Sequence, residues 1–229
     1  MNLVRGTLGD FLDKKLDNVV VNLTITGLGG TFFEPNAPET GEVLETLPKL
    51  VQLLGNPSRL RWRFDPLLYK VSDPAVFEQI AKKISSLGSK TCTFSFPAQR
   101  SLRGSLKQQY ETAKIKPWPD KSHRVSFLMS LADIAEKHGI QLLTCSQPEN
   151  TLYDKRIKAA QCIPLDILRD LHPQNHDYPE TKDYSQRKHC LCPRSEDLGD
   201  YTTHRCRTGC VYCYSPAGGP FLNGCGQSH

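Results

Sequence analysis

The sequence lacks a long apolar run, and its first residues contain no apolar segment. Apolar runs such as Val19–Val21 are far shorter than the roughly 20 residues that a helix needs to cross a bilayer. The opening MNLVRG has no apolar core of the kind found in secretory signals. We therefore predict no membrane contact and a reducing, cytoplasmic location. There, clustered cysteines hold metals more often than they form disulfides.

Internal repeats and low-complexity tracts are also absent, and the net charge is only +5. Part of that excess is local, because seven Lys and Arg residues lie between Arg100 and Arg124 against two acidic residues. Aromatic residues are not interleaved densely among them, so a solvated surface explains this basic stretch better than a stacking platform for nucleic acid. Nucleic-acid contact through the stretch remains the alternative.

Strand-like segments rich in β-branched and apolar residues alternate with segments of helical periodicity. Such alternation predicts an α/β fold with parallel strands and helices outside the sheet. Pro48 falls inside the first helical pattern and predicts a kink or a late start there. The predicted strands are 19–26, 60–64, 91–96 and 140–145, and the predicted helices are 43–54, 74–87, 122–138 and 164–171.

Functional residues of parallel sheets collect where the strands end. Arg63 and Asp65 form a charged pair at the end of the second predicted strand, which favours a place in a functional site. The other candidates at or just after strand ends are Thr24, Thr26, Glu34, Ser95, Thr144 and Cys145.

Five of the nine cysteines lie between residues 190 and 213. Cys206, Cys210 and Cys213 form a C-x3-C-x2-C motif, with Tyr212 before its last member. Three thiolates can hold three irons of a [4Fe–4S] cluster and leave the fourth iron to a non-protein ligand. This spacing is typical of enzymes that bind S-adenosylmethionine at the open iron and cleave it reductively. Structural zinc remains the alternative.

Four further cysteines are candidates for a second, closed metal centre, either a [4Fe–4S] cluster or zinc. They are Cys145, Cys162, Cys190 and Cys192. The C-x-C spacing of the last two is too tight for a usual zinc knuckle. In the competing interpretation, Cys145 and Cys162 are ordinary buried thiols. Cys92 alternates within a predicted strand, which indicates a core position.

Several motifs together resemble the family called domain of unknown function 1848. They recur in one order over residues 15–214. The motifs are Leu23–Gly27 with Glu34–Pro38, Arg61–Leu68, Leu143–Cys145, Cys162-Ile163, Cys190-x-Cys192, Ser195–Thr203 and Cys206–Tyr214.

The resemblance implies a radical-SAM-like iron–sulfur protein on a partial TIM-type barrel, with the cluster motif displaced to the C-terminal part. The middle region is similar to spore photoproduct lyases, radical enzymes that act on DNA. The resemblance does not supply a substrate. It also implies an earlier segment, with two strands before the first one predicted here, so we expect either an N-terminally truncated barrel or a misplaced start.

We accordingly predict a partial barrel over residues 1–171, a cysteine-rich iron–sulfur segment over 172–214 and a disordered tail over 215–229. Glu34, Arg63 and Asp65 are predicted to be catalytic, and Thr26 and Asn36 to bind cofactor. The partners would be an unknown small molecule or nucleic acid and an electron donor. The alternative function is a non-catalytic nucleic-acid-binding module stabilised by zinc or a closed cluster.

Overall fold

The sheet consists of five parallel strands that follow one another in chain order, so each strand lies beside its predecessor. This computed structural model describes residues 19–97, 108, 111–112, 114, 119–171, 181–195 and 206–213. The strands are β1 Val21–Thr24, β2 Leu60–Arg63, β3 Thr91–Phe94, β4 Gln141–Thr144 and β5 Ile157–Ala159. The helices are α1 Thr40–Leu54, α2 Pro74–Ser86, α3 Lys121–Lys137 and α4 Leu165–Leu171.

The predicted α/β architecture with parallel strands is confirmed. Over the described residues the sheet is open, with β1 and β5 at its edges, so it does not close into a barrel there. The sequence patterns missed β5, whose three residues are too few to show a period. None of the described helices is long and apolar enough to cross a membrane.

Helix α1 corrects the prediction made from Pro48. The helix starts at Thr40 and continues past Pro48, so a late start is wrong. Leu44, Leu47 and Leu50 are buried, whereas Pro48 is exposed. Proline has no backbone N–H, which weakens the helical turn around Pro48, and the packing of the leucine face therefore stabilises the helix there.

One face of the sheet packs against the helices and forms the apolar core. Its central row runs across all five strands through Leu23, Trp62, Cys92, Leu142 and Ile157. All of these side chains belong to one hydrophobic cluster, and Trp62 also donates its indole N–H to the Ile25 carbonyl at 2.9 Å. Cys92 is completely buried, as its place in a strand predicted.

The opposite face of the sheet is largely polar. The neighbouring row on that side contains Thr24, Arg63, Thr93, Leu143 and Lys158. Successive residues of a strand point to opposite faces, so the row shares its side with Asn22 and Arg61, one step earlier on β1 and β2. This face and the carboxyl ends of the strands carry the candidate sites.

Candidate metal centres

The Cys206, Cys210 and Cys213 trio lies on a loop that docks onto the segment after β1. Two backbone hydrogen bonds join them: Asn36 N–H donates to the Thr208 carbonyl at 3.1 Å, and Val211 N–H donates to the Phe33 carbonyl at 3.0 Å. Gly209 takes a φ of +66°, and a Cβ built there would stand 3.1 Å from the Asn36 side-chain nitrogen. The sharp turn and the close approach both favour glycine at this position.

Two of the three sulfurs of this loop contact Thr208. The Thr208 hydroxyl lies 3.0 Å from Cys206 Sγ and 3.3 Å from Cys210 Sγ. Cys213 N–H donates to the Cys210 carbonyl at 3.1 Å, which turns the backbone between the last two cysteines. Cys206 is exposed and the other two are partly buried, so a ligand could reach the trio from solvent.

Glu34 provides a buried carboxylate beside this loop. Its Oε1 accepts hydrogen bonds from the Thr26 hydroxyl and from the Tyr212 hydroxyl. Burial, followed by the negative charge of Glu34, raises the pKa of Tyr212 far above its usual range. Tyr212 therefore stays protonated and remains a donor. Thr26, Glu34 and Asn36, predicted together as site residues, do lie together next to the trio.

Arg63 and Asp65 lie at the carboxyl end of β2. The Arg63 guanidinium forms an ion pair with Asp65, whose other oxygen accepts from the Ser95 hydroxyl. Both charges act electrostatically on Cys145, and Arg63 also acts on Cys162. The structure thus places this pair beside the second group of cysteines.

That second group brings together Cys145, Cys162, Cys190 and Cys192. Cys145 Sγ and Cys162 Sγ are 4.0 Å apart, and the Cys162 backbone N–H donates to Cys192 Sγ at 3.1 Å. The Cys162 and Cys190 side chains both lower the pKa of Cys192, so they are its neighbours. The four cysteines are therefore neighbours near the ends of β4 and β5. Their role as metal ligands stays a prediction.

The pKa values of these four thiols differ, mainly because neighbouring thiols share protons. A hydrogen bond from the Cys162 thiol lowers the pKa of Cys192 to about 5. The same kind of bond lowers the pKa of Cys145 to about 7. Cys162 holds its proton between these two neighbours, so its pKa rises far above the usual range, and burial raises the pKa of Cys190. Metal-binding thiols must give up such protons when an ion enters.

Three residues of these sites were not identified from the sequence. Thr208 lies within the cysteine motif, but its spacing alone does not mark it as a partner of two sulfurs. Arg61 is buried on β2, where its electrostatic partners include Cys162 and Cys192. In the sequence, Arg61 stands two positions before Arg63, so both lie on the same face of the strand, and this spacing could have identified Arg61. Arg187 donates to Cys145 Sγ at 3.3 Å across 42 residues, which no local pattern reveals.

The cysteines of both groups are free thiols, and they are not arranged as a complete set of metal ligands. No disulfide joins any of the eight cysteines in the described segments. Within those same segments, no three side chains of His, Cys, Asp or Glu already form a finished metal-binding set.

Comparison with known proteins identifies the family. Residues 7–215 match the family model described as "Domain of unknown function (DUF1848)". The chain belongs to the DUF1848 family. No curated protein and no solved structure matches this DUF1848 chain.

Some predictions for this DUF1848 chain lie outside the described residues. Most of the basic stretch does so, including Arg100, Arg103, Lys107 and Lys116, and so does Cys225. Arg124, the last residue of the basic stretch, is 5.7 Å from the centroid of the Tyr153 ring. This cation therefore interacts with another side chain of the protein. The nucleic-acid alternative and the division into domains stay predictions.

Proposed function

We propose that this DUF1848 chain is an iron–sulfur protein of the radical SAM type. In this proposal Cys206, Cys210 and Cys213 hold three irons of a [4Fe–4S] cluster, and S-adenosylmethionine occupies the fourth. The observation that carries the proposal is the docking of all three thiols on one loop against the end of β1, beside the buried carboxylate of Glu34. The proposal includes a reducing, cytoplasmic setting, because thiolates must stay reduced to hold iron.

The residues present fit a cluster with one open iron. The three thiols lie on one short loop, and two of them contact the Thr208 hydroxyl, so the Cys206 and Cys210 sulfurs are close to each other. Asn36 N–H and Val211 N–H tie the loop to the segment after β1 on both sides of Gly209. A cluster bound there would supply the electron for reductive cleavage of S-adenosylmethionine.

The protein groups around the trio have binding and orienting roles in this proposal. Thr26 and Tyr212 both donate to Glu34 Oε1, which fixes the carboxylate and leaves Oε2 for an ammonium or hydroxyl group of a ligand. Asn36 is exposed at the edge of the same site, where its amide can donate to a ligand carboxylate. Arg63 and Asp65, which also act electrostatically on Cys145, are proposed to orient the substrate from the carboxyl end of β2.

A partial (βα) barrel belongs to the proposal as well. Support comes from the strand order, because parallel strands that follow chain order are the arrangement of a barrel wall, with functional residues at the carboxyl ends.

The test is anaerobic reconstitution of the full chain with iron and sulfide. We expect about four irons and four sulfides bound by the trio per chain, together with an EPR signal of the reduced protein that changes when S-adenosylmethionine is added. C206S, C210S and C213S should each lose this signal. C225S removes a cysteine outside the motif and should keep it. Retention of the signal by all three motif variants, or a trio that takes up zinc and never iron, would refute the proposal.

A further inference from the structure

One pair among the four cysteines beyond the trio is spaced like two ligands of one small ion. Zinc–thiolate bonds of about 2.3 Å in a tetrahedron place neighbouring sulfurs about 3.8 Å apart. Cys145 Sγ and Cys162 Sγ are 4.0 Å apart. A [4Fe–4S] cube puts a separate iron beneath each sulfur, and therefore holds its ligand sulfurs farther apart than this pair.

Folding brings the remaining two cysteines next to this pair. Cys162 N–H donates to Cys192 Sγ at 3.1 Å, and the pKa of Cys192 is lowered in part by the neighbouring Cys190 side chain. The Cys162 carbonyl accepts from the Asn22 side chain at 3.0 Å, which fixes this residue over the polar face of the sheet. Cys145, Cys190 and Cys192 are buried and Cys162 is half-buried, so the group is shielded from water.

An independent observation is the buried cation next to this group. Arg61 is only 4% exposed, and its Nε has no hydrogen-bond partner within the described residues. Its electrostatic partners are Asp166, which is exposed, and the thiols of Cys162 and Cys192. A buried guanidinium is costly unless negative charge compensates it. One divalent ion with four thiolates carries a net charge of 2−, which would supply that compensation.

We propose that Cys145, Cys162, Cys190 and Cys192 bind a single Zn²⁺ ion in a closed tetrathiolate site, separate from the Cys206 trio. On binding, the ion takes four thiolates, and each thiol still protonated releases its proton to solvent. The side chains must rotate inward, because no three of them enclose an ion in the described structure. A closed site has no position for substrate, so its role is structural.

The ion would join the 181–195 segment to the sheet. In the described structure, that segment contacts the strand ends through the Cys162 N–H bond to Cys192 and the Arg187 bond to Cys145. Four metal–sulfur bonds would add a cross-link from the residues after β4 and β5 to the C-x-C pair. The segment that leads to the Cys206 trio would thus be held whether or not a cluster is bound.

The test uses the full chain with the trio removed, as C206S/C210S, so that the iron–sulfur proposal and this one can fail separately. Metal-free protein is titrated anaerobically with Co²⁺, whose visible spectrum reports tetrahedral thiolate ligation, and then with Zn²⁺. We expect one Co²⁺ per chain with four thiolates, displaced by Zn²⁺. Adding C190S or C192S to this background should abolish the tetrathiolate spectrum, and circular dichroism checks that the fold remains.

A variant outside the ligand set gives a second readout. R61M keeps all four thiols and should weaken Zn²⁺ binding about tenfold or more, as loss of supporting interactions around a metal commonly does. K158M removes an exposed cation from the same side of the sheet and should leave Zn²⁺ affinity unchanged.

Three results would overturn the proposal. One is a Co²⁺ spectrum in the C206S/C210S background without tetrahedral thiolate bands. Another is uptake of about four irons and four sulfides by that same protein, which would make the group a second cluster. The last is a disulfide between Cys145 and Cys162 in anaerobically purified protein, detected by mass.

Discussion

Glu34 and Tyr212 connect two parts of the chain that are 178 residues apart. The carboxylate is buried, so each donor to it replaces a hydrogen bond that water would otherwise make. Tyr212 stands next to Cys213 in the sequence, and the contact therefore holds the cysteine loop against the end of β1. Tyr212, the aromatic residue before the last cysteine of the motif, therefore contributes a hydrogen bond through its hydroxyl group.

Tyr212→Phe should loosen this loop. Removing one donor from a buried carboxylate costs about 1–3 kcal/mol. Trypsin cleavage after the exposed Arg207 should then become about five- to a hundredfold faster, because cleavage follows the population of the open loop. Tyr184→Phe removes a hydroxyl from a residue that is 86% exposed and should leave the rate unchanged. Equal cleavage rates in Y212F and wild type would contradict the anchoring role.

Gly209→Ala should disturb the same loop through the backbone. A left-handed φ costs a non-glycine residue about 1–2 kcal/mol, and the new Cβ would press on Asn36 at 3.1 Å. Gly55→Ala is the matched control, since its φ is +70° and a Cβ there meets nothing within 4 Å. Chemical denaturation should show a loss for G55A, but only G209A should speed cleavage after Arg207. Fast cleavage in both variants would show that general destabilisation, and not loop contact, is responsible.

At the scale of elements, long periodic segments were predictable and short ones were not. The apolar faces of α1, α2 and α3 repeat over several turns, and Asp73 followed by Pro74 marks the start of α2, where Asp73 accepts from Ala75 N–H at 2.8 Å. β5 has three residues, and two of them are exposed. Its place in the sheet depends on pairing with β4, which no local pattern contains.

Pro48→Ala should stabilise α1. Proline in a helix interior costs up to about 3 kcal/mol relative to alanine, because it removes a backbone donor and crowds the preceding turn. Pro48 is exposed, so alanine leaves no cavity, and we expect the free energy of unfolding to rise by about 1–3 kcal/mol. Lys49→Ala, at the next exposed position, should change it by less than about 0.5 kcal/mol. A destabilised P48A would show that the ring packs favourably where it stands.

At the scale of the whole molecule, sequence patterns located the strand ends but not their distances from one another. Arg63 and Asp65 were grouped with Glu34 because all follow predicted strands. Strand order places the pair's strand, β2, beside β1, which leads to the Glu34 segment, and the same pair also acts electrostatically on Cys145 after β4. Local spacing alone was enough to name the trio as candidate ligands, which stays a prediction. The meeting of Cys145 with Cys162, Cys190 and Cys192 depends on long-range folding, and could only be suggested by counting thiols.

The two parts of the molecule should open independently. Amides inside the sheet, such as Phe64 N–H to the Thr93 carbonyl and Cys145 N–H to the Phe94 carbonyl, are backed by the apolar core. The loop contacts of Asn36 and Val211 rest on few partners. In metal-free protein, we expect hydrogen exchange at these two amides by local opening, well before the sheet amides exchange by global unfolding. Identical protection of both sets would mean that sheet and loop form one cooperative unit.

The polar face of the sheet also has a consequence for mutational tolerance. Parallel sheets covered by helices on both sides need apolar residues at every strand position. Here alternate positions carry different constraints: Trp62 and Cys92 belong to the core, whereas Arg63 and Thr93 face the other side. A saturation mutagenesis map of β2 and β3 would therefore alternate residue by residue. Substitutions at the core-facing positions would be limited by their effect on stability. Substitutions at the positions of the polar face would be limited by their effect on ligand binding.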